Sequence, residues 1–257
     1  MIGASTNASF NELDRHVLAG HGDETAFISE LGEGIPPVFT SRRDLLLQAT
    51  LAADALSAVR GAESGQRVAF YMPNDIHAVV WIEAAKRLGA PFTAVAAGTA
   101  SASLASRLEN TGAQVLVTSC ELDTLVLEAI AAVPEPPAVI AVTRTADGGN
   151  ALPTGWHDAR LLLAKARSRL RVDSPETLSD GQLVRHLWSL VPPRPVDASH
   201  PLFILYTSGS TGKPKGIVHA HGGYLTGLCA TSSLVFDLSP ARNDVFFVVA
   251  TPGWITG

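Results

Sequence analysis

The sequence predicts an α/β protein in which parallel or mixed sheets are flanked by helices. Three observations lead there. Short apolar runs alternate with longer stretches of helical periodicity between residues 42 and 142. The apolar runs are nearly continuous, the pattern of strands buried on both faces. Glycine or proline stands at several boundaries, as at Gly61, Pro73 and Gly89. Strand, helix and strand in repeated order require crossover connections, and hence parallel pairing.

The elements follow in order. Leu45, Leu46, Ala49, Ala53, Leu56 and Val59 recur at helical spacing, so residues 42–60 form a helix that Gly61 can end. Residues 67–72 are a short strand, broken by Pro73. Asn74 or Asp75 then caps a helix that runs to Leu88 and stops at Gly89. Residues 91–95, 114–118 and 137–142 read as strands, and 101–110 and 122–132 as the helices between them. Residues 147–153 are rich in glycine and polar side chains and read as a surface loop. Four prolines in 191–201, "VPPRPVDASHP", disfavour helix and central strand alike. The expected organisation is therefore a first α/β part over 1–190, a connector over 191–201, and the start of a second part over 202–257. That second part holds a strand at 202–206, a polar loop, a helix at 222–234 and a last apolar strand at 245–250.

The chain has 257 residues, 46% of them hydrophobic, and a formal net charge of -5. It can bury a sizeable core, and it has no overall attraction for nucleic acid or an anionic membrane. The basic run 165–171 reads as a solvated helix face. The first ten residues lack the pattern of a signal peptide. No apolar run approaches the ~18 residues of a membrane span. A cytoplasmic setting is expected. Cys120 and Cys229 form no metal-ligand spacing. Their apolar neighbours suggest buried free thiols, with a disulfide left open.

Residues 207–216, "TSGSTGKPKG", begin where an apolar strand ends, the position at which ligands gather in open α/β sheets. Three glycines allow a sharp turn and close approach of the backbone to a ligand. Successive N–H groups can then form an anion nest, and Thr207, Ser208, Ser210 and Thr211 add hydroxyl donors. An ammonium such as that of Lys213, ~4 Å from a phosphate oxygen, gains about 4 kcal/mol before desolvation at an effective dielectric of roughly 20. The spacing G-x-x-x-x-G-K-[ST] fails, because Thr207 and Pro214 stand where a glycine and a hydroxyl belong. This is not a P-loop of the Walker type. On chemistry alone, a phosphate-binding loop and a glycine-rich hairpin turn both stay open.

The longer string "YTSGSTGKPKGIVHAHGGYL" resembles the signature of the AMP-forming adenylating superfamily, which includes acyl- and aryl-CoA synthetases, luciferases and peptide-synthetase adenylation domains. Residues 10–16 (FNELDRH), 67–90, 104–119, 197–225 and 252–257 (PGWITG) are most similar to acetyl- and propionyl-CoA synthetases. The resemblance implies activation of a small carboxylic acid (acetate, propionate, 3-hydroxypropionate or similar) by ATP with Mg2+. Coenzyme A then takes up the acyl group. Carried over by motif position, Thr207, Ser208, Gly209, Ser210, Thr211, Gly212 and Lys213 hold the β- and γ-phosphates, with Lys213 as the catalytic cation. Trp254, Ile255 and Thr256 match the segment that lines the acyl pocket, although Trp254 also reads as a core aromatic. No protein metal ligand is assigned. His219 and His221 read as structural.

Three features depart from the pattern, one being the family's "TADVGW", which here reads Ala250-Thr-Pro-Gly-Trp254. Residues 120–125, CELDTL, stand where such synthetases carry an arginine for the 3′-phosphate of coenzyme A. The family's "GGFS" turn becomes Ala97-Gly-Thr-Ala100. The resemblance also implies that 1–257 is an incomplete N-terminal domain, unable to turn over alone. The later nucleotide motifs and the mobile C-terminal domain are expected in the remainder of the same enzyme. A nucleotide-binding module without chemistry, and an adenylation domain that loads a carrier protein, remain alternatives.

Overall fold

A computed structural model describes residues 3–60, 66–143, 151–172, 174–207, 214–242 and 244–254. The chain opens with β1 (Ser5–Thr6), a π-helical turn at Phe10–Asp14 and α1 (Arg15–Leu18). The hairpin β2 (Thr25–Ser29) and β3 (Val38–Ser41) leads into α2 (Arg42–Arg60). Then come β4 (Val68–Met72), α3 (Ile76–Leu88), β5 (Phe92–Ala96), α4 (Ser101–Thr111), β6 (Val115–Ser119), α5 (Asp123–Ala131) and β7 (Ala138–Val142). Next are β8 (His157–Asp158), α6 (Ala159–Leu170) and α7 (Asp180–Leu190). The last elements are β9 (Val196–Asp197), β10 (Pro201–Thr207), β11 (Lys215–Ala220) and α8 (His221–Leu234).

The expected α/β architecture is what forms. Seven strands make one sheet in the order β11-β10-β5-β4-β6-β7-β8, parallel except for the antiparallel edge strand β11. Along β4, Val68, Phe70 and Met72 face one layer, with Leu45, Leu46, Leu56 and Trp81 of α2 and α3. Ala69 and Tyr71 face the other, with Leu104, Leu108 and Val126 of α4 and α5. Successive side chains alternate across a strand, so a strand covered on both faces must be apolar throughout. Asp75 caps α3 by accepting from the amides of His77 and Ala78. Gly89 ends it in the left-handed region, at φ 65°.

Segments on either side of 191–201 contribute strands to the same sheet. Within 191–201, β9 pairs with β1, and the Arg194 amide donates to the Arg87 carbonyl at 2.8 Å. The chain thus runs back past the end of α3 before β10 enters beside β5.

Three expectations fail. Residues 245–250 form no strand, and Val245, Phe247 and Val249 are each more than 75% exposed. A strand is held by its neighbour's ladder, and none lies alongside among the described residues. Residues 215–220, expected within the loop that leads to the helix at 222–234, form β11, in which Ile217 and Val218 pair with Leu205 and Ile204. The thiols are free but not buried: Cys229 is exposed and Cys120 half-buried. Apolar neighbours in sequence bury a cysteine only where another element covers that helix face, and most of α8 is exposed. Gly61 and the start of the 147–153 loop lie outside the described residues.

The N-terminal segment is fastened to α3 by buried charge. Arg87 and Asp14 are both fully buried. Nη1 of Arg87 donates to Oδ1 and Oδ2 of Asp14 at 3.0 and 2.8 Å, and Nε donates to the Val191 carbonyl at 2.8 Å. Trp188 Nε1 donates to Asp14 Oδ1 at 2.6 Å. One residue away, Lys86 Nζ donates to Glu12 Oε2 at 2.6 Å and to Glu83 Oε1 at 2.7 Å. Glu12 Oε1 and Glu83 Oε2 are buried with no partner if both groups are carboxylates. A proton on Glu83 resolves this, since its O–H donates to Glu12. Burial, with the charge of Glu12 beside it, pushes the Glu83 carboxyl up to about 8. Burial alone would lower the Lys86 ammonium, but Glu12 and Glu83 outweigh it and raise it.

Two outcomes are expected. Asp14→Ala leaves the Arg87 guanidinium buried and unpaired, and urea unfolding should show a loss of about 3–5 kcal/mol. The folded protein holds the Glu83 proton up to about pH 8, whereas the unfolded chain releases it near the ordinary value of 4.5. Stability contributed below pH 4.5 is therefore lost as pH rises through that window. Glu83→Gln keeps a donor for Glu12 and an acceptor for Lys86 without titrating. The urea midpoint of the variant should fall less than that of the parent between pH 5 and 8, and parallel curves would refute the protonated Glu83.

Candidate functional site

β4, β5 and β10 run in one direction, so Met72, Ala96 and Thr207 end at the same edge of the sheet. In open α/β sheets that edge is where a ligand meets backbone and loop rather than packed side chains. The residues around it come from four separate segments.

The first is fastened by Tyr71 of β4. The ring is fully buried. Its hydroxyl donates to the Thr99 carbonyl at 2.8 Å and accepts from the Gly98 amide at 3.2 Å. This holds the 97–100 turn over the end of β5. Burial pushes the phenol up, so it stays protonated and able to donate.

The second is the turn at 250–254. Asn74, just after β4, donates from Nδ2 to the Ala250 carbonyl at 3.3 Å. Gly253 lies against the backbone of β5 with φ +104°. A Cβ there would sit 2.8 Å from the Ala94 oxygen and 3.1 Å from the Ala96 nitrogen. Only glycine permits both the dihedral and the approach. The Trp254 amide closes the turn onto the Thr251 carbonyl at 3.2 Å. The Trp254 side chain is 67% exposed, so it is not a core aromatic here. Ile255 and Thr256 lie outside the described residues.

The third is the hairpin of β10 and β11. Its last pair is Thr207 opposite Lys215, both exposed. Ser208, Gly209, Ser210, Thr211, Gly212 and Lys213 connect the two and lie outside the described residues. The hairpin and the phosphate-loop readings are therefore compatible. The segment joins two antiparallel strands, and it does so at the carboxyl edge of the parallel sheet.

The fourth is the turn after β6. Ser119 Oγ donates to Glu121 Oε2 at 2.7 Å, and the Thr124 amide donates to Asp123 Oδ1 at 2.6 Å. These acids shape the entry to α5.

The histidines have structural partners. The Ala8 amide donates to Nδ1 of buried His221 at 3.1 Å. Burial, with His200 and Lys86 nearby, pushes its pKa down to about 4, so the ring is neutral at pH 7. His219 stacks on Phe203 with ring centroids 4.5 Å apart. Among the described residues, no group of three or more His, Cys, Asp or Glu side chains could hold a metal ion. No helix among them is long and apolar enough to cross a membrane.

The profile of the family described as "AMP-binding enzyme" matches residues 14–257. The chain belongs to the AMP-binding enzyme family. Several curated relatives align along it. The acetyl-coenzyme A synthetase of Paraburkholderia phymatum is 39% identical over 262 residues, covering 98% of this chain and 36% of that protein. The counterpart from Mycobacterium tuberculosis (strain H37Rv) is 36% identical over 268 residues, covering 100% of this chain and 38% of its own length. That from Streptomyces coelicolor is 37% identical over 264 residues, covering 98% and 36%. The chain thus spans little more than a third of the relatives it matches. The resemblance read from residues 206–225 and their flanking stretches holds at the level of the family.

In this AMP-binding family member, Tyr71, Asn74 and Gly253 shape the candidate site, although the sequence offers Asn74 only as a helix cap and assigns Tyr71 and Gly253 no part in it. A tyrosine inside an apolar strand reads as core, and nothing local shows that its hydroxyl reaches a loop 27 residues on. Tyr71→Phe removes that hydroxyl and strands the Gly98 amide and Thr99 carbonyl. A stability loss of about 1–3 kcal/mol is expected, with faster amide exchange at Gly98. Unchanged exchange there would show that the turn does not depend on Tyr71.

Proposed function

We propose that this chain is the incomplete N-terminal domain of an AMP-forming short-chain acyl-CoA synthetase. In this reading residues 1–190 form a first part, 191–201 a connector, and 202–257 begin the phosphate-binding part. A carboxylate and ATP give an acyl-adenylate and pyrophosphate, and coenzyme A then takes the acyl group with release of AMP. One observation carries the reading. The middle of the adenylating signature connects β10 and β11, whose facing ends lie at the carboxyl edge of the sheet, in a chain of which 98–100% aligns with acetyl-coenzyme A synthetases.

The work of this part of the chain is to hold phosphate. Thr207, Ser208, Ser210 and Thr211 donate hydroxyl protons to the β- and γ-phosphate oxygens. Gly209 and Gly212 let the main-chain amides turn toward them. Lys213 supplies positive charge where the leaving pyrophosphate gathers negative charge, and donors fixed in advance are most effective there. Trp254, Ile255 and Thr256 wall the end of a small acyl pocket, which limits the acid to a few carbons. Mg2+ would come with the phosphates of ATP, which supply much of its coordination, and no described residue is assigned as its ligand. The acid is acetate, propionate, 3-hydroxypropionate or a compound of similar size, and the setting is cytoplasmic. The remainder of the same polypeptide covers the apolar side chains exposed on β11, on α8 and along 245–249, and adds the C-terminal domain.

A second reading, a nucleotide-binding module without chemistry, draws on Glu121 and Asp123. Both are acids, and they stand where an arginine would meet coenzyme A.

Exchange of labelled pyrophosphate into ATP by the complete polypeptide decides between them. Exchange that depends on a short acid is expected. Nucleotide binding with no exchange for acetate, propionate, 3-hydroxypropionate or acrylate would favour the second reading. Lys213→Ala should slow the exchange on the order of 10²-fold and leave the KM for the acid nearly unchanged. An unchanged rate would remove Lys213 from the mechanism.

A further inference from the structure

Glu12, Glu83 and Lys86 meet where the π-helical turn, α3 and the first turn of α8 converge. The Lys86 ammonium is shared by the two acids, at 2.6 Å from Glu12 Oε2 and 2.7 Å from Glu83 Oε1. One oxygen of each acid is left over, Glu12 Oε1 and Glu83 Oε2, and both are buried. His221 and Tyr224 of α8 and Arg87 of α3 also face the cluster. None of them supplies a charge to balance a second carboxylate. Arg87 is committed to Asp14. His221 accepts the Ala8 amide at Nδ1 and, with burial, His200 and Lys86 holding its pKa at about 4, stays neutral. Burial pushes the Tyr224 phenol up, so it keeps its proton.

The three side chains differ in their way out. Those of Glu83 and Lys86, on α3, are 5% and 9% exposed, whereas that of Glu12 is 23% exposed. Glu12 sits on a single five-residue π-helical turn, a form that recurs at functional sites. Two arrangements balance the charge. In the first, Glu83 keeps its proton and donates it to Glu12, and Lys86 bonds both. In the second, Glu83 has released its proton to water, Lys86 pairs with Glu83 alone, and the Glu12 carboxylate lies in solvent. Keeping both carboxylates inside would bury an excess negative charge and two unpartnered oxygens, which is the costliest of the three.

We propose that Glu12 is the moving arm of a proton-operated latch, which fastens the N-terminal turn to α3 while Glu83 is protonated and swings into solvent when that proton leaves. The latch acts on a defined neighbourhood. Beside it, the Ala8 amide on His221 and the Gly222 amide on the Ala198 carbonyl, at 2.8 Å, hold the first turn of α8. Beyond that turn α8 is mostly exposed. Release of Glu12 therefore loosens residues 8–15 and the start of α8 and leaves the parallel sheet intact. Burial and the charge of Glu12 place the change near pH 8, with the latch closed below and open above.

The test follows amide hydrogen exchange in the complete polypeptide for the parent, Glu83→Gln and Glu12→Gln. Glu83→Gln gives Glu12 a permanent donor, and Glu12→Gln gives the Glu83 carboxylate one, so neither variant needs the proton. Dividing the parent's rate by a variant's at the same pH cancels the base dependence of exchange itself. At residues 8–15 that ratio should rise about tenfold between about pH 7 and about pH 9, as the open share grows from roughly a tenth to roughly nine tenths. The two variants should keep a constant ratio to each other. At about pH 9 the amides of β4 to β6 should still exchange on the order of 10³-fold more slowly than those of residues 8–15. A flat parent ratio would overturn the latch. A rise that persists in Glu12→Gln would show that Glu12 is not the arm. Residues 8–15 exchanging no faster than β4 to β6 would show that the proton acts only through global unfolding, which also refutes the proposal. Either variant serves as the reference if the other does not fold.

Discussion

The geometry of the carboxyl edge depends on one buried ion pair. Asp14 and Arg87 have no solvent exposure, and a buried charge is tolerable only when it is paired and hydrogen-bonded. Asp14 accepts from both Arg87 and Trp188, and Arg87 also donates to the Val191 carbonyl. Three segments distant in sequence therefore meet at one point: the N-terminal turn, the end of α3, and the start of the proline-rich stretch. That stretch must return past α3 for β10 to enter the sheet beside β5 rather than elsewhere. β10 ends at the carboxyl edge of the sheet because this return path is fastened.

The neighbouring cluster of Glu12, Glu83 and Lys86 is a different kind of device. It places two acids and one base in a largely buried cluster, and the charges balance only if one acid keeps its proton. The arrangement is specific because each oxygen then has one role: Glu83 donates, Glu12 accepts, and Lys86 bonds an oxygen of each. A hydrophobic trio of equal volume would pack as well but would not define the register of the N-terminal turn against α3 in the same way.

At the edge itself, rigidity comes from hydroxyls that reach out of the core. Tyr71 holds the turn after β5, and Tyr206 holds the stem of the signature hairpin. The Tyr71 ring is buried and its hydroxyl holds a turn at the rim, whereas Tyr206 is half-buried and its hydroxyl ties β10 to the last turn of α4. In this way a stiff sheet transmits its order to the 97–100 turn at its edge.

Much was legible from sequence. The strands β4 to β7 and the helices between them are local matters. An apolar run of five residues flanked by helical periodicity reads as a strand covered on both faces, and Asp75 and Gly89 mark the ends of α3 through their own backbone chemistry. The signature and the family were legible too, because 206–225 is a continuous string whose order survives without knowledge of contacts. What only the tertiary structure decided is whatever depends on a neighbour. The apolar run 245–250 needs a strand beside it and has none among the described residues. Residues 215–220 form a strand only because β10 lies alongside. Cys229 is exposed because nothing covers that face of α8. Asp14 with Arg87, Tyr71 with Thr99 and Tyr206 with Asn110 join residues 28 to 96 positions apart, and no periodicity records such a pairing. Local chemistry writes the elements into the sequence, whereas burial and pairing are properties of two segments at once and come into being only when the chain folds.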